Sequence, residues 1–284
     1  MNLKLINITA TSLEDAWFQT VYSCIENGRD FKIDVGSFEG ERRLEFDYIT
    51  VHITHPGSRP LTPTIPTQYN IPNPVPDGYL DDYITYLMTG EMKEGESYTY
   101  GQRINAYPIG SKVSANMDRA PDKARSIMKG MQVHKQEDIL VQEDGIWDNE
   151  AIIVNNGMQF VLNQIELIIE TYKSKGHRNN QMVLQIAHPT DTLLKDPPCL
   201  RSIDTRIQDG KLHFIIYFRS WDLWAGFPAN LAGIQMMKEY MASQIGVEDG
   251  EMICSSKGLH LYNYTWQLAE LMRGKTIEEF RTGK

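Results

Sequence analysis

Cys199 stands in the run DPPC at 196–199, and two prolines fix the backbone that delivers it. A thiol attacks carbon only as its thiolate, so a nucleophilic cysteine needs a cation or a helix N-terminus nearby to lower its pKa. Arg201, Arg206 and Arg219 are the candidates in sequence. A cysteine chosen at random is more often a small buried residue of the core. The case for Cys199 therefore rests on its neighbours.

Those neighbours follow in FRSWDLWAGFPAN at 218–230. Arg219 followed by Ser220 where a strand stops is suited to clamp an anion, since both side chains donate to phosphate oxygens. The bland alternative is a strand-end salt bridge. Trp221, Trp224 and Phe227 suit a core or a pocket wall. Asn230, where the next helix is expected to start, suits either a cap or a donor–acceptor pair presented to a uracil edge. In GLHLYNY at 258–264, His260 and Tyr262 alternate and so share one face of a strand, as two rings holding a ribose hydroxyl would. Tyr100, in SYTYGQR at 97–103, precedes Gly101 at an expected turn. Each feature alone is weak, and a His-x-Tyr pair is usually structural.

The elements that must position these residues are legible in outline. Residues 12–27 have the spacing of a helix capped by Thr11 or Ser12, with Leu13, Trp17, Val21, Cys24 and Ile25 on one face and Gly28 at its end. Cys24 then belongs to the core. Residues 42–54 alternate and are rich in β-branched and aromatic types, which predicts one strand. Seven prolines between Pro56 and Pro76 mark an extended loop packed on the surface. Helices are predicted over 79–87, 158–172 and 229–245, the last stopped by Gly246. A buried strand is predicted over 181–187, and strands over 200–208 and 211–219 form a hairpin closed by Asp209 and Gly210. Residues 111–148 are polar and aperiodic, an excursion from the core. The expectation is one α+β domain over 1–284, a mostly contiguous sheet with long helices.

Composition narrows the partners. With 41% hydrophobic and 23% charged residues the chain has material for a sizeable core. A net charge of -9 argues against binding duplex nucleic acid, which needs clustered basic residues, but leaves room for a small anionic ligand. Cys24, Cys199 and Cys254 form neither a disulfide framework nor a metal-ligand pattern, so no metal and a reducing cytoplasm are expected. No stretch approaches the roughly 18 apolar residues of a membrane span, and the N-terminus lacks the apolar run of a signal peptide.

DPPC at 196–199, RSWD at 219–222, GFPAN at 226–230 and HLY at 260–262 together resemble the thymidylate synthase family. The spacing agrees as well: Arg219 lies twenty positions after Cys199, and His260 thirty after Asn230. YLMTG at 86–90, TYGQR at 99–103 and the turn DGKL at 209–212 fit the same pattern. The good match covers about residues 180–275, a thinner one 12–105, and the wording resembles divergent archaeal or phage members.

The resemblance implies a thymidylate synthase-like mixed sheet and a homodimer packed sheet to sheet. It implies that Cys199 adds to C6 of dUMP while Arg219 and Ser220 hold the 5′-phosphate, Arg219 also favouring the thiolate. Asn230 would read the uracil edge, and His260 and Tyr262 the sugar 3′-hydroxyl. Tyr100 would belong to the network that removes the C5 proton. Asp222, with Trp224 and Gly226, would face 5,10-methylenetetrahydrofolate or a related reduced pterin, the source of the one-carbon unit and of the hydride that completes dTMP.

Departures from the pattern qualify the assignment. Asn180 and Gln181 stand where the family has paired arginines, leaving Arg178 to replace them, with His177 nearby. The N-terminal phosphate arginine falls near Val35, so Arg42 or Arg43 would substitute. The family's glutamate aligns near Tyr83, and Asp82 is the expected replacement. The sequence closes on IEEFRTGK rather than an apolar lid, which would admit water and turn the reaction toward 5-hydroxymethyl-dUMP. That hydroxymethylase is the first alternative. A nucleotide-binding regulator without turnover is the second.

Overall fold

The computed structural model describes residues 2–34, 38–108, 153–155, 160–194 and 196–282, so the polar stretch expected at 111–148 lies outside them. Strand β1 (Leu5–Ala10) leads into helix α1 (Leu13–Asn27). Ser12 caps α1 by accepting the Asp15 amide, and Leu13, Trp17, Val21, Cys24 and Ile25 are buried as their spacing predicts. Strand β2 (Arg29–Lys32) follows.

The single strand expected over 42–54 is two, β3 (Arg42–Glu45) and β4 (Tyr48–Ile53), and they join different sheets. Phe46 and Asp47 make the corner. Phe46 is buried and its amide donates to the Leu259 carbonyl. The Asp47 carboxylate accepts the Lys4 amide and the Arg29 guanidinium. The proline-rich stretch is an ordered loop that buries Leu61, Ile65, Ile71 and Val75 and contains a short 3-10 turn at Thr67–Tyr69.

Helices α2 (Tyr79–Met88) and α3 (Tyr100–Asn105) come next, then a three-stranded sheet of β5 (Tyr107–Pro108), β6 (Ile153–Asn155) and β7 (Phe160–Leu162). The helix expected over 158–172 starts later, as α4 (Gln164–Lys175). Phe160–Leu162 are taken by pairing with β6, and Asn163 caps α4 through the Ile165 and Glu166 amides. Strands β8 (Val183–Gln185), β9 (Leu200–Gln208) and β10 (Lys211–Phe218) are antiparallel neighbours. Asp209 and Gly210 both have positive φ (52° and 73°), the geometry of a tight hairpin turn. The short β11 (Trp221–Asp222), helix α5 (Gly226–Ile245), β12 (Glu248–Ser256), β13 (Leu259–Tyr262), α6 (Asn263–Arg273) and α7 (Ile277–Thr282) complete the chain.

Six strands form a mixed sheet in the order β1-β4-β12-β10-β9-β8, and four form a second in the order β11-β13-β3-β2. The mixed sheet and the long α5 match the α+β expectation. The large sheet buries Val51, Cys254, Ile216, Phe214 and Ile203 on one face, while Tyr48, Ile253 and Ile215 on the other stay exposed. One buried cluster runs from Ile8 to Ile277.

Helix α2 lies against α5 at Gly233, where a Cβ would come within 2.5 Å of the Tyr83 ring. Gly233→Ala should therefore lower stability by about 1–3 kcal/mol through overpacking. A thermal melt checks this, and an unchanged midpoint would show that α2 yields without cost.

Candidate functional site

Cys199 sits at the entry to β9, and the turn before it wraps around the Arg219 side chain. Arg219 Nε donates to the Pro198 carbonyl at 3.2 Å, and its Nη2 to the Pro197 carbonyl and to Asp196 Oδ1. The Arg219 amide donates to the Cys199 carbonyl at 2.9 Å. The prolines matter because their carbonyls are the acceptors: the stiff turn fixes the guanidinium, and the guanidinium fixes the turn. Nη1 of Arg219 has no hydrogen-bond partner among the described residues. Ser220 follows, half-buried.

The net effect on the thiol is opposite to the simple expectation. Burial pushes the Cys199 pKa above the usual thiol value, Arg219 and Arg201 pull it down, and Asp196 works against them. Without a ligand, desolvation wins. Arg206, the third candidate cation, lies near the far end of β9, about 20 Å along the strand at roughly 3.3 Å per residue. Arg178 is at that end too, lining a cavity with His177, Asn180, Arg206 and Asp209. The structure thus does not bring Arg178 to Cys199 of its own chain.

Tyr100 is the first residue of α3, not part of a turn, because the Thr99 hydroxyl accepts the Gln102 amide and starts the helix there. Its hydroxyl accepts the Leu200 amide at 3.2 Å, one residue past Cys199. Burial and the neighbouring Cys199 raise its pKa far above the usual phenol value, so the hydroxyl keeps its proton and is able to donate it in a hydrogen bond.

Asn230 does not cap α5, which starts four residues earlier at Gly226. Asp222 takes the capping role: its two oxygens accept the amides of Trp224, Ala225 and Gly226. Asn230 instead lies between two aromatics. Its Oδ1 accepts the Trp221 indole N–H at 2.9 Å and its Nδ2 donates to the Tyr83 hydroxyl at 2.7 Å. An indole nitrogen only donates, so this contact fixes which way the amide points. One Nδ2 hydrogen and one Oδ1 lone pair are left over.

Tyr83 is a residue that sequence reasoning passed over in favour of Asp82. The two are adjacent on α2 but face differently. Both border an outer cavity with Tyr79, Tyr86 and Glu96, but Asp82 is exposed there, whereas Tyr83 is half-buried and also presses on Gly233 and Asn230. The signal was available, since Tyr83 is the residue that aligned with the family's glutamate.

His260 and Tyr262 lie on β13 with their rings 4.6 Å apart, edge to face. Parallel pairing sets Asp222 of β11 beside His260, and antiparallel pairing sets Glu45 and Arg43 of β3 opposite His260 and Tyr262. Arg42, the alternative to Arg43, is exposed and paired with Asp30 on the surface. His260 is 2% exposed; its Nδ1–H donates to the Gly258 carbonyl, leaving Nε2 as an acceptor that is buried and unpartnered. Tyr262 also packs on Phe38 and Tyr264. Trp17 of α1 donates to the carbonyls of Leu223 and Trp224, both at 3.0 Å, and so holds the loop between β11 and α5.

Burial drives the His260 pKa from the ordinary 6.5 down to about 4, with nearby Arg43 acting in the same direction. The folded state therefore resists protonation that the unfolded state accepts. Stability from this group is complete above pH 6.5 and is lost as pH falls toward about 4. His260→Gln should flatten that part of a stability profile measured by denaturant titration, and an unchanged slope would mean that the ring protonates in place.

A family model described as "Thymidylate synthase" matches residues 115–280, more than half of the chain. That span holds Cys199, Arg219, Asn230, His260 and Tyr262, while Tyr83 and Tyr100 precede it. Two relatives, from Methanosarcina acetivorans and Methanosarcina mazei, are each 26% identical over 265 residues, covering 93% of this chain and 92% of theirs. A third, from Methanothermobacter thermautotrophicus, is 21% identical over 276 residues, covering 93% and 96%. All three carry the name "Putative thymidylate synthase". By this match and by the residues gathered around Cys199, the chain belongs to the thymidylate synthase family.

Proposed function

We propose that the chain methylates C5 of dUMP to give dTMP, with Cys199 as the nucleophile that adds to C6. The observation that carries this reading is the Cys199 turn itself. Arg219 is folded into it from one side, and the Tyr100 hydroxyl meets the next backbone amide from the other. A cysteine needed only for packing has no use for either.

Each remaining group has a task that its geometry supports. The open Nη1 of Arg219 and the Ser220 hydroxyl are donors for the 5′-phosphate. Asn230 has one donor left for uracil O4 and one acceptor left for N3–H, matching that base edge. The buried Nε2 of His260 lacks a partner, and a sugar 3′-hydroxyl would supply it; Tyr262 lies alongside. Tyr100, kept protonated by burial, donates to the water or oxygen that receives the C5 proton. The exposed Asp82 is the least supported of the expected catalytic groups, and Tyr83 takes the inner position.

A reduced pterin such as 5,10-methylenetetrahydrofolate supplies, when bound, the one-carbon unit and the hydride. Asp222 fits an orienting role, because its Oδ1 keeps a lone pair beyond the Trp224 amide, while Oδ2 is taken by the amides of Ala225 and Gly226; Trp224 and Gly226 stand beside it. We propose further that residues 1–284 work as one unit within a homodimer in a reducing cytoplasm. The exposed Tyr48, Ile215 and Ile253 on the open face of the large sheet favour a second copy there. Arg178 and Arg206 are then the guanidiniums available to a phosphate held by that copy. No helix among the described residues is long and apolar enough to cross a membrane.

Mass spectrometry of dUMP incubated with the protein and methylenetetrahydrofolate tests the reading. A gain of a methyl group with formation of dihydrofolate is expected, and Cys199→Ala should abolish it while leaving nucleotide binding largely intact. A hydroxymethyl product would assign water the place of hydride. Nucleotide binding without any product, and without a 5-fluoro-dUMP adduct on Cys199, would sink the catalytic reading in favour of a regulator.

A further inference from the structure

Asp191 has no part in the chemistry above, yet it is 1% exposed and bonded on three sides. It lies in a short 3-10 turn (Pro189–Leu193) whose preceding residue, His188, donates its backbone amide to Asp191 Oδ2 at 2.6 Å. Arg103 donates Nη2 to Oδ1 at 2.9 Å, and Arg201 donates Nη1 to Oδ2 at 3.2 Å. Burial alone would raise the carboxyl pKa, but the His188 amide and the two guanidiniums hold it below the usual range. Asp191 is thus a charged acceptor at the working pH.

Both guanidiniums lead back to the site. Arg103 belongs to α3, the helix that begins with Tyr100. Arg201 is two residues past Cys199, and the same Nη1 that meets Asp191 also donates to the Pro198 carbonyl at 3.2 Å. Pro198 therefore receives Arg201 as well as Arg219. A buried ion pair that only holds a fold together has no reason to end on the carbonyl just before a nucleophile.

We infer that Asp191 is a positioning residue for Cys199: it seats Arg201 against the Pro198 carbonyl and, through Arg103, holds the helix that carries Tyr100. Its functional meaning rests on Cys199 being the nucleophile, but thiol alkylation tests it without any turnover. Arg201 is also the second cation whose charge reaches the thiol, so a loosened Arg201 weakens the thiolate.

The experiment is alkylation of the full chain by iodoacetamide across pH, with each cysteine followed by peptide mass mapping. Cys24 and Cys254 are buried and serve as internal controls. In Asp191→Asn, Cys199 should react about tenfold more slowly at neutral pH, its rate midpoint moving up by about one unit. Arg201→Gln should do the same, and Asp191→Glu should recover part of the rate. An unchanged Cys199 profile in both Asp191→Asn and Arg201→Gln overturns the inference. So does parallel exposure of Cys24 and Cys254 in Asp191→Asn together with a wild-type profile in Arg201→Gln. If wild-type protein forms no 5-fluoro-dUMP adduct while alkylation still depends on Asp191, the functional reading fails and the positioning role stands.

Discussion

The indole N–H of Trp17 donates to two carbonyls at once, those of Leu223 and Trp224, from a helix more than 200 residues away in sequence. The loop held this way lies between β11 and α5. Asp222, the last residue of β11, caps α5 across it, and β11 pairs with β13, so the indole indirectly registers His260 against Asp222. The same loop precedes Asn230, whose amide meets Trp221. A fully buried side chain of α1 thus sets the relative placement of Asp222, Asn230 and His260. Helix α1 is accordingly part of the site's foundation, although none of its side chains carries chemistry.

Desolvation is the other common thread. It raises the thiol of Cys199 and the hydroxyl of Tyr100, and it lowers the imidazole of His260. In each case burial favours the neutral form; Arg43 adds to that effect at His260 and Cys199 adds to it at Tyr100, while Arg219 and Arg201 oppose it at the thiol. An anionic ligand that engaged Arg219 would change this balance. Part of the guanidinium's field would then be spent on the ligand, which makes the second cation, Arg201, more important to the thiol than its distance in function suggests.

Much of the site was legible because it lies in compact motifs whose spacing survives divergence: Cys199, Arg219 and the 226–230 segment are close in sequence as well as in space. The hairpin at Asp209 and Gly210 was equally plain, since both residues tolerate positive φ. Other features were hidden for physical reasons. The corner at Phe46 and Asp47 leaves a trace only as a phase shift, from buried Leu44 and Phe46 to buried Ile49, Val51 and Ile53. A propensity argument sees one strand there; a strict period-2 argument would have seen two. Phe160–Leu162 carries a helical stripe into α4, yet β5 and β6 claim it for a sheet, and the pairing with β5 joins segments that no local window contains. The choice of Asp82 over Tyr83 followed residue charge, whereas the helix face followed packing against Gly233. The Asp191 contacts join three separate segments and have no sequence signature at all.

If the site takes a pyrimidine as proposed, the Trp221–Asn230 contact bears on which one. Cytosine presents the reverse pattern to uracil, an amino donor at position 4 and an acceptor at N3, and an asparagine would have to rotate its amide by half a turn to meet it. Rotation would aim an Nδ2 hydrogen at an indole hydrogen that has nowhere else to go, because Trp221 is stacked at 3.7 Å on Phe218. Tyr83 would tolerate the change, since a hydroxyl both gives and takes; Trp221 would not. On the proposed reading, discrimination against the aminated base rests on a tryptophan that faces the core, one residue removed from the base it helps to choose.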